Sequence, residues 1–146
     1  MYEDLRDKTA LVTGAGKKSG IGYAIARKLA ESGCNIIVAD LGDIGADDQQ
    51  VSTGTTAEME TIVQELKAEF VVRSLAVSVD VADNASIGNM AAAVRAEFDS
   101  IHVLCNNAGA SFGVPNTVQN YDEQAWMKTI DINLHGVFRI SRAVLP

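Results

Sequence analysis

The sequence predicts an α/β fold, an open, doubly wound parallel sheet, and three observations carry that prediction. Short β-branched apolar runs alternate strictly with longer amphipathic segments along the 146 residues. The runs lack the polar alternation of a half-exposed strand, so they suit strands covered on both faces. A glycine-rich turn joins the first run to the first amphipathic segment, and repeated strand–helix alternation is the pattern of a parallel sheet with crossover helices.

The elements follow in order. Ala10–Thr13 (ALVT), Ile36–Ala39 (IIVA), Leu75–Val79 (LAVSV) and Ile101–Cys105 (IHVLC) read as four strands. Ile21–Glu31 reads as the first helix, with Ile21, Ile25, Ala26 and Leu29 on one face. Thr55–Phe70 is the second; Thr55 and Glu58 have capping-box spacing, and Met59, Ile62, Val63 and Leu66 form its apolar face. Asn84–Phe98 is the third, with Asp83 placed to cap it and Ile87, Met90, Ala91, Val94 and Phe98 inward. Leu41–Gly54, rich in Gly and Asp, reads as an exposed connection. Asp122–Pro146 reads as one helix of about 37 Å, with Trp126, Ile130, Val137, Phe138 and Val144 available for burial.

Composition narrows the function. A net charge of −7 gives no basic footprint for nucleic acid or an anionic membrane. No apolar run is long enough to span a bilayer, and the first ten residues carry no apolar signal core, so the expectation is a cytoplasmic protein. Cys34 and Cys105 sit in apolar stretches and read as reduced thiols, with no metal site expected.

The turn Thr13-Gly14-Ala15-Gly16-Lys17-Lys18-Ser19-Gly20-Ile21-Gly22 is the first feature with chemistry. Glycines let backbone approach a pyrophosphate, and the helix amino end that follows offers unpaired N–H groups and partial positive charge. Gly20 suits the close approach, and Gly22 lets helix pack on strand. Asp40 closes the second strand 18 residues after Gly22, where a carboxylate accepts from ribose hydroxyls and repels a 2′-phosphate. This favours NAD over NADP, although Lys17 and Lys18 could partly neutralise a phosphate. Gly16-Lys17-Lys18-Ser19 is not a P-loop, because Leu11 stands where that motif needs its first glycine.

Four features in order resemble the short-chain dehydrogenase/reductase family: the Thr-Gly…Gly-Ile-Gly turn, Asp80-Val81, Asn106-Asn107-Ala108-Gly109, and Asn133 in Asn133-Leu134-His135-Gly136. Lys17 and Lys18 look like a two-residue lengthening of the family's turn. The resemblance implies a Rossmann-type sheet of order 3-2-1-4 and roles for individual residues. Gly14, Ser19, Gly20, Ile21 and Gly22 would surround the pyrophosphate, and Asp40 the adenosine ribose. Asp80 and Val81 would meet the adenine. Asn106, Ala108 and Gly109 would line the cofactor path, with Asn106 and Asn107 also able to tie strands together. Asn133 would be the catalytic-site asparagine that helps hold a proton-relay water.

The family's general acid/base is a tyrosine with a lysine four residues later. Tyr2, Tyr23 and Tyr121 are followed at that spacing by Arg6, Arg27 and Ala125, so the 146 residues contain no such pair. The expectation is therefore a single NAD(P)-binding Rossmann domain over 1–146, truncated after about four strands and incomplete at its carboxyl end. The implied parent is an NAD-preferring oxidoreductase, a homo-oligomer acting on a small-molecule hydroxyl or keto substrate. The alternative is a nucleotide-binding fragment without turnover.

Overall fold

The computed structural model describes residues 3–45 and 52–145. Residues 46–51 in the middle of the Leu41–Gly54 connection, the first two residues, and Pro146 lie outside the described residues. Four strands, β1 (Thr9–Thr13), β2 (Asn35–Asp40), β3 (Ser74–Ser78) and β4 (Val103–Cys105), form one sheet of order β3-β2-β1-β4, every pairing parallel. The register sets Val12 beside both Val38 and Cys105, so the strands' carboxyl ends align along one edge.

Alternation along β1 and β2 divides the core in two, because successive side chains point to opposite faces. Ala10, Val12, Ile36 and Val38 pack against Ala26 and Ala30 of α1 (Ile21–Glu31) and Met59, Ile62, Val63 and Leu66 of α2 (Thr56–Phe70). On the other face, Leu11, Ile37 and Ala39 meet Ile87, Met90 and Val94 of α3 (Asn84–Glu97) and Ile140 of α5 (Gly136–Val144). Both faces are filled, as an all-parallel sheet requires.

The helix starts follow local chemistry. The Thr55 hydroxyl accepts the Glu58 N–H and the Asp83 carboxylate accepts that of Ala85, each satisfying a donor of the first turn. Only half of the expected capping box forms: the Glu58 carboxylate accepts the Lys18 backbone N–H at 2.9 Å instead of turning back on its own helix.

Two expectations are corrected. Ile21 is 75% exposed, because α1 turns its small residues Gly22, Ala26 and Ala30 inward and so comes close to the sheet. The segment from Asp122 is not one helix. It comprises α4 (Glu123–Ile130), a π turn at Asp131–His135, and α5. The wider turn rotates α5 relative to α4, so Ile140 is buried while Trp126, Val137 and Phe138 are exposed. Cys34 is buried and Cys105 only half-buried; both are free thiols. Among the described residues no helix is long and apolar enough to cross a membrane.

Candidate functional site

The site lies at the carboxyl ends of the strands, where a doubly wound sheet opens its crevice. Gly14 leaves β1 with φ +67°, and a Cβ there would lie 2.8 Å from the Ala108 Cα. A Cβ on Gly22 would come within 2.2 Å of the Gly14 carbonyl oxygen. Only glycine at both positions lets α1 start this close to the strand it follows. Between them Lys17–Gly20 makes a turn closed by the Gly20 N–H on the Lys17 carbonyl at 2.9 Å.

Side chains cap α2, α3 and α4, but none caps α1, which begins after Gly20. The first-turn donors of α1 and the positive end of its dipole thus have no side-chain acceptor from the cap, and Gly20, just before them, lines the cavity. The two extra lysines are both tied to neighbouring chain: Lys17, on the cavity wall, bonds the Ser52 hydroxyl through Nζ, and Lys18 Nζ meets Glu65 at 2.5 Å. The lengthening therefore anchors the turn to α2 and to the segment just before it.

Asp40 is 8% exposed at the end of β2. One carboxylate oxygen accepts the Gly16 N–H at 2.7 Å and the other the Leu41 N–H at 2.8 Å. Burial pushes its pKa above the ordinary carboxylate value, the two backbone donors oppose the shift, and nearby Glu58 adds to it. A Cβ on Gly16 would press on Asp40 and Met59 at 2.8 Å, so this contact also requires glycine.

At the neighbouring strand ends, the Asp80 carboxylate accepts the Ala82 N–H at 2.8 Å, and Val81 is buried against Gly136. The Thr13 hydroxyl accepts the N–H groups of Asn107 and Ala108, fixing the chain as it leaves β4. Asn106 turns away from the cavity and donates to the Ser141 hydroxyl of α5 at 3.2 Å. Asn133, in the π turn, donates to the carbonyls of Ala110 and Thr129 and accepts the Ala110 N–H at 3.2 Å. A Cβ on Gly109 would lie 2.4 Å from its amide oxygen.

These elements enclose a cavity of about 370 Å³. Of the residues the sequence reading singled out, Gly14, Gly20, Asp40, Asp80, Val81, Ala108 and Gly109 line it. Ser19, Ile21, Gly22, Asn106 and Asn133 are not in its wall: Gly22 acts by packing, and Asn133 by holding Ala110, which does line it. The sequence reading missed Phe112, Lys128 and Asp131, which line the outer part, with the Lys128 ammonium 4.1 Å above the Phe112 ring. Asp131 could have been found from its spacing to His135 and Arg139, four and eight residues on. Among the described residues no group of three His, Cys, Asp or Glu side chains is arranged to hold a metal.

Comparison with known proteins agrees with this geometry. The family described as short chain dehydrogenase matches residues 8–146. The 3-oxoacyl-[acyl-carrier-protein] reductase FabG of Staphylococcus epidermidis is 37% identical over 140 residues, which are 96% of this chain and 50% of the relative. L-sorbose reductase from Gluconobacter frateurii, solved with NADPH and L-sorbose, superposes with a TM-score of 0.79 at 28% identity, over 99% of this chain and 48% of that one. NAD+-bound xylitol dehydrogenase superposes with 0.78 at 28% identity, over 96% and 47%. The chain spans about half the length of the curated relatives it matches.

Proposed function

Since the chain belongs to the short-chain dehydrogenase family, we propose that residues 1–146 are one domain that holds the dinucleotide of an oxidoreductase acting on a small-molecule hydroxyl or keto group. The carrying observation is the uncapped amino end of α1 after a glycine turn whose Gly14 and Gly20 line a cavity, with the buried Asp40 in the same wall. The residues fit the group. The nicotinamide dinucleotide, when bound, supplies hydride transfer to or from the substrate carbon.

This chain's own residues bind and orient. Backbone N–H groups around Ser19, Ile21 and Gly22 meet the pyrophosphate, and Gly14 and Gly20 leave room for it. Asp40, its lower lone pairs held by Gly16 and Leu41, offers the remaining ones to the ribose hydroxyls. Asp80 and Val81 flank the adenine, while Ala108 and Gly109 form the wall toward the reacting ring. Asn106 ties β4 to α5, and Asn133 fixes Ala110 on the rim, so any part it takes in ordering a proton-relay water is through the position of Ala110. No Tyr-x-x-x-Lys pair occurs in these 146 residues, so the reading assigns them cofactor binding and not the proton transfer itself.

NAD is the preferred form in this reading, because the Asp40 charge would meet a 2′-phosphate. A second reading, NADP, is favoured by one observation: Lys17 lines the same cavity. Titration calorimetry of the chain with NADH and NADPH separates the two. Tighter NADH supports the first reading, and tighter NADPH the second. No binding of either overturns the cofactor site. We also assign the protein to the cytoplasm, and to a homo-oligomer through the exposed Trp126, Met127, Leu134, Val137 and Phe138.

A further inference from the structure

We propose that Asp131 and Arg139 are positioning residues, which fix the π turn so that Asn133 stays bonded to Ala110 at the cavity rim. A π turn is rare and occurs mostly as a single wide turn inserted in an α-helix. Here Asp131 is held twice. Its carbonyl accepts the Gly136 N–H, the bond that defines the wide turn, and Arg139 Nη1 approaches the same oxygen at 3.4 Å. Its carboxylate accepts from Arg139 Nη2 at 2.7 Å and lies 3.1 Å from His135 Nδ1.

The Arg139 side chain therefore lies back along the helix and bridges the whole widened turn. Arg139 foremost, with His135 adding to it, holds the Asp131 carboxyl below its ordinary range. Tightening the turn to regular α geometry would shift the register by one residue and swing Asn133 by about 100° around the axis. Its amide would then leave Ala110, and Gly109 would lose the neighbour that leaves no space for a side chain. Gly136 adds a second constraint, because a Cβ there would lie 2.9 Å from a Val81 methyl, and its absence lets α5 rest on Val81. The π turn thus touches both rims of the cavity. Asp131 itself lines that cavity, where its pairing with Arg139 masks a charge that would repel an anionic ligand.

The positioning role stands on the geometry alone; only its effect on affinity rests on the dinucleotide site proposed above. The test is carried out on the whole chain, labelled with nitrogen-15. Asn133→Ala marks where the Ala110 amide resonance goes when its acceptor is lost. Arg139→Gln should move that resonance the same way, Asp131→Asn should do likewise, and Arg139→Lys should return it toward the parent position. NADH affinity should weaken by about threefold or more in Arg139→Gln, in keeping with loss of a partly exposed ion pair. An Ala110 resonance unmoved in Arg139→Gln and Asp131→Asn overturns the proposal, even if both variants melt earlier. A parent that binds no NADH refutes the cofactor reading and leaves the Ala110 comparison to decide this one.

Discussion

The Thr13 hydroxyl accepts the Asn107 backbone N–H at 3.1 Å, and the Asn107 side-chain amide donates back to the Thr13 carbonyl at 3.0 Å. The same amide reaches the Gly14 carbonyl at 3.1 Å. Two loops that leave adjacent strands are thereby clamped where the cavity opens. Thr13→Val keeps the shape but strips two N–H groups of their acceptor at a site 1% exposed. It should cost about 2 kcal/mol, read as a fall of about 4–8 °C in melting temperature. A melt within a degree of the parent would show that the clamp contributes little.

Gly22 and Gly88 should respond in opposite directions to alanine. At Gly22 the new methyl meets the Gly14 carbonyl, which is backbone and cannot step aside, so a loss of at least about 2 kcal/mol is expected. At Gly88, in the exposed middle of α3, a Cβ meets nothing within 4 Å. There Gly→Ala should add about 0.5–1 kcal/mol by favouring the helix. Urea denaturation of the two variants checks both signs.

With Asp40 at the ribose, as proposed, cofactor preference should depend on pH. Its folded pKa is raised, so the carboxyl takes up a proton above the ordinary carboxylate range as the solution is acidified. The neutral form no longer repels a 2′-phosphate, and the preference for NAD+ over NADP+ should narrow as pH falls. For stability the sign is the same: the folded chain binds the proton more tightly, so this group's contribution is greatest in acid and is lost as pH rises through the raised pKa. Calorimetry from neutral to mildly acidic pH should show the narrowing in the parent. Asp40→Asn should start with a narrower preference and change less; equal slopes in the two proteins would remove Asp40 from the ribose site.

Among the described residues β4 pairs only with β1, leaving its other side as an edge, and Trp126, Val137 and Phe138 stand exposed nearby in sequence order on α4 and α5. An unpaired strand edge and an apolar helix face both invite association. Sedimentation of the chain should be concentration-dependent. Phe138→Lys should reduce the heavier species if the helix face drives it. A single monomeric boundary at all concentrations would contradict the expectation.

Much of the fold was legible because it depends on local rules. Four unalternating apolar runs gave four strands, of which β1 and β2 are buried and β3 and β4 largely half-buried, and Thr55 and Asp83 gave helix starts that their hydroxyl and carboxylate indeed cap. What escaped depends on tertiary geometry. The apolar spacing across Asp122–Pro146 is compatible with a continuous helix, and the π turn is held by Arg139 and Asn133 reaching partners set by the fold. Ile21 was misread because α1 packs through glycine and alanine, which a count of large apolar residues overlooks. Glu58 was read as closing its own cap, yet the lengthened turn delivers the Lys18 N–H to it first. In the site, residues at strand ends were legible from their motifs, whereas Phe112 and Lys128 enter the wall only through the path of the loop that follows β4.

Gly54 is buried, and a Cβ on it would lie 1.7 Å from the Gly16 carbonyl oxygen. Gly16 in turn donates to Asp40. The chain just before α2 is thus a backing plate for the glycine turn, and the turn is a backing plate for Asp40. A graft that exchanged the β2–α2 connection for a relative's would not be modular: unless it carried glycine at this point, it would displace Gly16 and unseat Asp40 without touching either residue. Redesign of cofactor choice in this protein has to treat the glycine turn, Asp40 and Gly54 as one unit of exchange.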